Sequence, residues 1–380
     1  MKKGSRTAAV ILAAGSSTRM GTAKQLLLID DRPLLQHVLD NVRQSAVGEV
    51  VLVLGHAAET IKAQLELQNV QVLVNDQFHQ GMGSSLRTGL AAVDSQTEAA
   101  LIILADQPFV RPATLDTLMA EHARARPQIV IPTYRGFRGN PVLLDHSIFP
   151  EVMTLSGDVG CRAIFGDHLE GIVKVPVKDV GVLLDIDRQS DYQKLQRYRS
   201  GVVELPVLQA SHPQGESSAG REDASGPELV IVGNDAMVTA LAKLARVLQF
   251  KVTIVDPLLD ARDMPEASQV LHVLDFSRLP QRRDRQVVVA SRGACDEEAV
   301  EQALGMNSSY VALVANRRRG EEVLRSLKMR GLTTEKLRSV HVPAGLDIGA
   351  ATPEEIALSV MAEIVAERNK PVATPGSPES

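Results

Sequence analysis

The sequence predicts an α/β protein made of two doubly wound, Rossmann-like units joined by a disordered linker. Three observations carry that expectation. Short apolar runs alternate with helical patterns from Ala8 onward, and the runs are apolar throughout, as strands covered on both faces must be. Residues 209–228 are Ser, Gly, Pro and charge with almost nothing to bury, which marks a linker. Beyond it the alternation restarts, and 380 residues suit two units of ordinary size.

The elements follow in order. Residues 8–13 (AAVILA) form a buried strand. In "PLLQHVLDNV", Leu34, Leu35, Val38, Leu39 and Val42 share one helical face behind Pro33. Next come a strand "EVVLVLG", a helix "AAETIKAQL" and a strand "VQVLVN". The glycine-rich turn "HQGMGSSL" enters a helix with Ser84 and Ser85 as its caps. "AALIILAD" is a fourth strand and "PATLDTLMAEHARA" a helix, so the pattern is that of a parallel sheet covered by helices. It loosens at "YRGFRGNPVLLD", where a Gly-Asn-Pro turn precedes an extended segment, and resumes with "GIVKVPV", "VGVLLDID" and a helical "DYQKLQRYR".

The second unit reads "ELVIVG", a helix through "MVTALAKLARVL", "KVTIVD", "RQVVVAS", a helix near "EEAVEQAL", "YVALVAN", and a last helix in "PEEIALSVMAEIVAER". The boundaries expected are 1–204 for the first unit, 205–228 for the linker, 229–368 for the second unit and 369–380 for a Pro- and Ser-rich disordered tail.

Composition narrows the partners. A net charge of -5 argues against a nucleic-acid surface, which demands a basic excess. Cys161 and Cys295 are far apart with no His or Cys at metal spacing, so neither a disulfide framework nor zinc is expected, and a reducing cytoplasm is the default. "MKKGSRTAAVILAAGSS" imitates a signal peptide, but its apolar part is too short and "STRMGTAK" continues without a cleavage boundary. No apolar stretch reaches the length of a membrane span.

The loop "LAAGSSTRMGTAK", Leu12 to Lys24, carries the first functional signal. A glycine-bearing turn after a strand can cradle phosphate, because backbone N–H groups face the anion. The P-loop pattern fails, since Thr22 and Ala23 separate Gly21 from Lys24, and the dinucleotide fingerprint fails, since Ser16, Ser17 and Thr18 follow Gly15. What remains is positive charge from Arg19 and Lys24 beside Gly15 and Gly21, suited to a triphosphate. A plain turn with solvated cations is the alternative.

Carboxylates strengthen the first reading. Asp106 ends the strand "LIILA", where open α/β sheets place their ligands, and Asp185 and Asp187 follow "VGVLL", another candidate strand end. A magnesium ion takes one or two carboxylates and fills its other positions with water and substrate phosphate. An isolated Asp after a strand can equally be a turn or cap residue.

"AAGSSTRMGTAK", "GMGSSLRTGL", "ADQPFVRPATL", "RGNPVLLD", "SGDVGCRA" and "VGVLLDID" occur in the order found in MobA-like nucleotidyltransferases. Over about residues 7–200 the chain resembles, within that family, the molybdenum cofactor cytidylyltransferases. Ala13, Ala14 and Gly15 stand where guanylyltransferase relatives usually carry Ala-Gly-Gly, which favours cytidine; "ADQP" replaces the usual "GDQP". The resemblance implies that a terminal phosphate of molybdopterin, the substrate, attacks the α-phosphorus of CTP and expels pyrophosphate. It implies Mg2+ on Asp106 with Asp187 as second ligand, and the β- and γ-phosphates on Arg19 and Lys24. Gly81, Gly83 and Ser84 would approach the nucleoside, and Asn140, Asp158 and Asp185 would lie on the pterin side.

In the second half, "LVIVGNDAMVTALAKLARVL" keeps only Gly233 of the dinucleotide glycines; Asp235 and Val238 hold the other two positions, and Asp256 stands where a ribose-binding acid belongs. Asp235 would set negative charge against a pyrophosphate. "VASRG", "YVALVANRRR", "GLTTEKLRSVHVP" and "GLDIGAATPEEIALSVMAEIVA" resemble the C-terminal Rossmann domain of XdhC-type proteins over about residues 229–368. That resemblance implies a role in maturing a client molybdenum hydroxylase, as a cofactor-handling domain or as a scaffold. Arg317, Arg318 and Arg319 could meet a cofactor phosphate or form a solvated face. Rival readings are transfer from another NTP or to another acceptor, a non-catalytic molybdenum cofactor chaperone, and an NAD-dependent oxidoreductase.

Overall fold

The computed structural model describes residues 6–15, 23–186, 226–280, 282, 284–306 and 308–370. The helix expected in "DYQKLQRYR", most of the expected linker, and residues 371–380 of the expected tail lie outside them. The chain divides into two compact units, Met1–Glu204 and Leu205–Ser380. Both are α/β, as the apolar runs predict.

The first unit holds strands β1 (Thr7–Ala13), β2 (Glu49–Leu54), β3 (Gln71–Val74), β4 (Ala99–Leu104), β5 (Ile129–Tyr134), β6 (Phe137–Arg138), β7 (Val142–Asp145) and β8 (Ile172–Pro176). Helices α1 (Leu34–Gln44), α2 (Ala58–Lys62), α3 (Met82–Ala91), α4 (Pro112–Ala125) and α5 (Phe149–Val152) connect them. The sheet order is β8-β5-β7-β4-β1-β2-β3, with β6 paired to β5. Because successive side chains of a strand point to opposite faces, each strand feeds two cores. Ala9, Ile11 and Ala13 of β1 pack with Leu35, Leu39, Leu115 and Leu118 of α1 and α4, whereas Val10 packs with Leu86 and Leu90 of α3.

Glycine makes the second of these packings possible. A Cβ on Gly89 would lie 2.3 Å from Val10 Cγ1 and 3.0 Å from Val53 Cγ2. Gly89→Ala is therefore expected to destabilise the first unit by about 1–3 kcal/mol through overpacking, read as a lower melting temperature.

Two expectations need correction. The sheet is mixed rather than parallel: β7 runs antiparallel to both β4 and β5. The cause lies in "YRGFRGNPVLLD", where Arg135 and Gly136 take positive φ and turn β5 directly into β6, so no crossover helix returns the chain to its starting end. Moreover, "VGVLL" is a 3-10 turn, Val180–Leu183, and not a strand. Its N–H and C=O groups meet loop and side-chain partners described below instead of a ladder.

The second unit contains β9 (Glu228–Val232), β10 (Lys251–Val255), β11 (Gln269–Leu271), β12 (Arg285–Val289), β13 (Tyr310–Leu313) and β14 (Val340–His341). All pair in parallel in the doubly wound order β11-β10-β9-β12-β13-β14. Its helices are α6 (Ala236–Val247), α7 (Asp296–Gly305), α8 (Arg317–Met329), α9 (Thr334–Arg338) and α10 (Pro353–Arg368). Glu228, placed at the linker's end by composition, opens β9 and is buried against Arg285. Thr352 and Glu355 form a capping box that starts α10. On that helix, burial raises the Glu363 carboxyl, but hydrogen bonds from Tyr310, the Gly345 N–H and His341 outweigh it and hold the group below its usual range.

Candidate active site

Parallel strands β1 and β4 end side by side, and a cavity of about 620 Å³ opens at their C-terminal ends. Leu12 to Gly15, at and just after the end of β1, form one wall, and Leu104 to Asp106, at and just after the end of β4, another. Lys24 and Gln25 close a third side; Phe78, His79, Gln80, Gly81, Met82 and Ser85 line the entrance to α3, with Asp158 beside them.

Lys24 and Asp106, expected to act on phosphates and metal, meet directly: Lys24 Nζ donates to Asp106 Oδ2 at 2.8 Å. Both side chains are more than four-fifths buried, at 18% and 17% exposure, so this pair is shielded in a way a surface pair is not. The other carboxylate oxygen, Asp106 Oδ1, is buried and has no hydrogen-bond partner among the described residues. Leaving a buried anionic oxygen without a donor is costly, and such an atom suits a cation.

Gln25, which no sequence motif singled out, fixes the turn bearing Lys24. Its amide is 2% exposed and donates to the carbonyls of Ala13 at 2.9 Å and Gly15 at 3.2 Å. The Lys24–Leu26 turn is thereby tied to the end of β1. The alanine in "ADQP" also needs no special backbone: Ala105 has no positive φ and its N–H donates to Leu12 O at 3.1 Å.

The α3 entrance differs from its expected form. Gly81, with φ 95°, precedes the helix, and a Cβ there would lie 2.5 Å from the backbone of Gly157 and Asp158. Ser84 and Ser85 do not cap α3; they lie within its first turn, and Asn75 Nδ2 donates to both hydroxyls at 2.9 and 3.0 Å. Ser84 is buried and donates back to the protein's own carbonyls, while Ser85 lines the cavity. The Gly83 N–H is taken by Gly157 O at 3.1 Å, so its close approach is to protein backbone.

Asp158, expected on the pterin side, lines the cavity and accepts the Met82 N–H at 3.3 Å, capping α3 from a distant loop. Asn140 and Asp185 do not line this cavity. The Asn140 N–H donates to Val182 O at 3.0 Å ahead of a cis Asn140–Pro141 bond, and Asp185 Oδ1 accepts from Gln107 Nε2. Arg19 and Asp187 lie outside the described residues. Among the described residues no group of three or more His, Cys, Asp or Glu side chains forms a metal cluster, and no helix is long and apolar enough to cross a membrane. Both cysteines are buried, and burial pushes the Cys161 thiol up to about 12.

In the second unit, Asp235 Oδ1 accepts the Val238 N–H at 2.9 Å at the N-terminus of α6, and its Oδ2 accepts from Arg292 at 2.8 Å. The helix end that would face a dinucleotide's phosphates is thus met by the chain's own carboxylate. Asp256 accepts the Leu258 N–H at 2.9 Å. Within the Arg317–Arg319 run, Arg319 pairs with Asp296 and Glu297, and Arg318 with Glu322.

An open sheet with a cavity at its strand ends, walled by a lysine–carboxylate pair, is where α/β proteins bind their ligands, and the family match places this one among the nucleotidyltransferases. Residues 9–172 match the MobA-like NTP transferase domain, and residues 229–364 the XdhC Rossmann domain. The chain belongs to the MobA-like NTP transferase family and carries an XdhC Rossmann domain after it. It is 33% identical over 162 residues to nicotine blue oxidoreductase of Paenarthrobacter nicotinovorans, covering 40% of this chain and 78% of that protein. It is also 33% identical over 150 residues to the uncharacterized protein YqeB of Escherichia coli K12, covering 38% of this chain and 28% of YqeB. The chain thus spans under a third of YqeB's length. Among solved structures, Rv0371c from Mycobacterium tuberculosis H37Rv is 33% identical, with 51% of this chain and 98% of that chain covered and a TM-score of 0.47.

Proposed function

We propose that the first unit transfers CMP from CTP to the terminal phosphate of molybdopterin, giving the cytosine dinucleotide form of the cofactor and pyrophosphate. One observation carries the reading: at the strand ends, Asp106 holds a lysine on one oxygen while its other oxygen is buried without a donor among the described residues. That oxygen fits a divalent cation such as Mg2+, with Asp106 as ligand and Asp187 as the proposed second one. A bound cation of this kind neutralises charge on the α-phosphate and the departing pyrophosphate.

The chain's own residues do the rest by placement. Lys24, fixed by Gln25 against the end of β1, supplies positive charge for the β- and γ-phosphates, with Arg19 as its proposed partner. Among the described residues, a Cβ added to Gly15 would meet nothing within 4 Å, which suits the approach of a phosphate to the backbone. The acceptor phosphate is anionic at neutral pH, so no side chain has to remove a proton. Catalysis is then orientation and charge neutralisation.

For the XdhC unit we favour a scaffold that docks a client molybdenum hydroxylase, because Asp235 sets a carboxylate where a dinucleotide would place its phosphates. A second reading, a redox role, draws on the name of the nicotine blue relative. Pyrophosphate release separates the readings. CTP with molybdenum-loaded molybdopterin and Mg2+ is expected to release pyrophosphate faster than GTP does; pyridine-nucleotide oxidation without pyrophosphate release would favour the redox role.

A further inference from the structure

Ser85 lines the cavity from the first turn of α3 and is 5% exposed, and the polarity of its hydroxyl is set by its neighbours. Asn75, just past β3 and equally buried, is pinned by its own N–H, which donates to Leu54 O at 2.8 Å. Which end of its amide is oxygen follows from its partners. The Gln77 N–H can only donate, and it reaches Asn75 Oδ1 at 3.0 Å, so the other end is the NH2 group, with two hydrogens. These go to the hydroxyl oxygens of Ser84 at 2.9 Å and Ser85 at 3.0 Å. Ser84 passes its own proton on to the carbonyls of Gly81 and Gln77, at 2.9 and 3.0 Å. Among the described residues no group accepts the proton of Ser85. A hydroxyl that accepts from Asn75 cannot donate back to it, so Ser85 offers the cavity a hydrogen.

The two sides of the cavity differ in charge. Lys24 and Asp106 make the charged side, where a triphosphate and its cation belong on the proposed reading. The α3 side carries Phe78, Met82 and Ser85, and its one carboxylate among the described residues, Asp158, repels phosphate. That side suits the neutral base of a nucleotide. We propose that Ser85 is a specificity residue that donates to the base, and that Asn75 is the positioning residue that fixes the sense of that bond. A hydroxyl obliged to donate matches the bare ring nitrogen N3 of cytosine, and it meets a hydrogen instead at N3 of uracil or N1 of guanine. The inference rests on the cytidine reading of the cavity.

Isothermal titration calorimetry of the full chain with CTP, UTP and GTP in the presence of Mg2+ tests it. Wild type is expected to bind CTP most tightly. Ser85→Ala removes the donor and is expected to weaken CTP about 10-fold, the upper range for one hydrogen bond, while UTP and GTP change little. Asn75→Asp keeps the side chain's shape, but a carboxylate only accepts. It draws the Ser85 proton to itself and turns a lone pair toward the base, so UTP should bind more tightly than it does to wild type and the CTP-to-UTP affinity ratio should fall about 10-fold or more. The serine variant serves if the aspartate variant does not fold. A purely structural role for either residue would weaken all three nucleotides alike. A ratio within about twofold of wild type in folded Ser85→Ala overturns the inference, and the same result in folded Asn75→Asp overturns the positioning role of Asn75. A wild-type protein that does not favour CTP overturns the cytidine reading and this inference with it.

Discussion

Asp106→Asn is expected to abolish magnesium-dependent release of pyrophosphate from CTP, with kcat falling by about 10³-fold, the upper range for loss of one preorganised charge. The side chain keeps its shape, so the strand ends should pack as before; β4 lies inside the sheet between β1 and β7 and draws its stability from the apolar residues on both faces. What changes is charge. The buried Oδ1 has no donor among the described residues, and an amide in its place offers a cation no negative charge. Circular dichroism and melting of the variant should match wild type within a few degrees. Full activity in a folded variant would remove Asp106 from the chemistry.

Lys24→Met should separate two roles that the 2.8 Å pair combines. The lysine neutralises Asp106 in the absence of nucleotide, and on the proposed reading it turns to the triphosphate when one arrives. Its loss is expected to lower kcat/KM for CTP by about 10²–10³-fold, as for other single groups that stabilise developing charge. Mn2+ without nucleotide should bind this variant more tightly than wild type, because a methionine no longer competes for the carboxylate. Calorimetry with Mn2+ alone checks the second effect, and weaker Mn2+ binding by the variant would contradict it.

The parts of the fold that were legible in the sequence are those fixed by burial. β4 is apolar at every position, and β1 and β2 from their second residue on, because helices cover both faces, and that pattern needs no tertiary information to read. The "VGVLL" run misled for a related reason: it is apolar and its Gly181 and Val182 are buried, yet it lies on a loop, with Val182 O held by the Asn140 N–H and the Gln107 amide. Burial alone does not distinguish a ladder from a docked turn.

Among the candidate site residues, Asp106 could be singled out because charge at the end of an apolar strand is conspicuous, and Lys24 because it is a cation closing a glycine-bearing loop. Gln25 and Gln107 could not, since a lone amide carries no periodicity and its partners lie on other segments: Ala13 and Gly15 for one, Val182 and Asp185 for the other. Ser84 and Ser85 have cap-forming chemistry, but Gly81 takes the cap position and the buried Asn75 claims their hydroxyls. Local preference lost there to a tertiary contact.

The family match ends at residue 172, but the segment that docks on the loop after β4 through Asp179, Val182 and Asp185 lies beyond it. A protein cut at 172 would strip the Arg111 N–H and the buried Thr114 hydroxyl of their acceptor and leave Gln107 without a protein acceptor among Val182 and Asp185. The smallest excisable piece that keeps the strand ends around the candidate site intact must therefore run at least through Ile186, and trimming to the homology boundary is expected to yield a destabilised fragment.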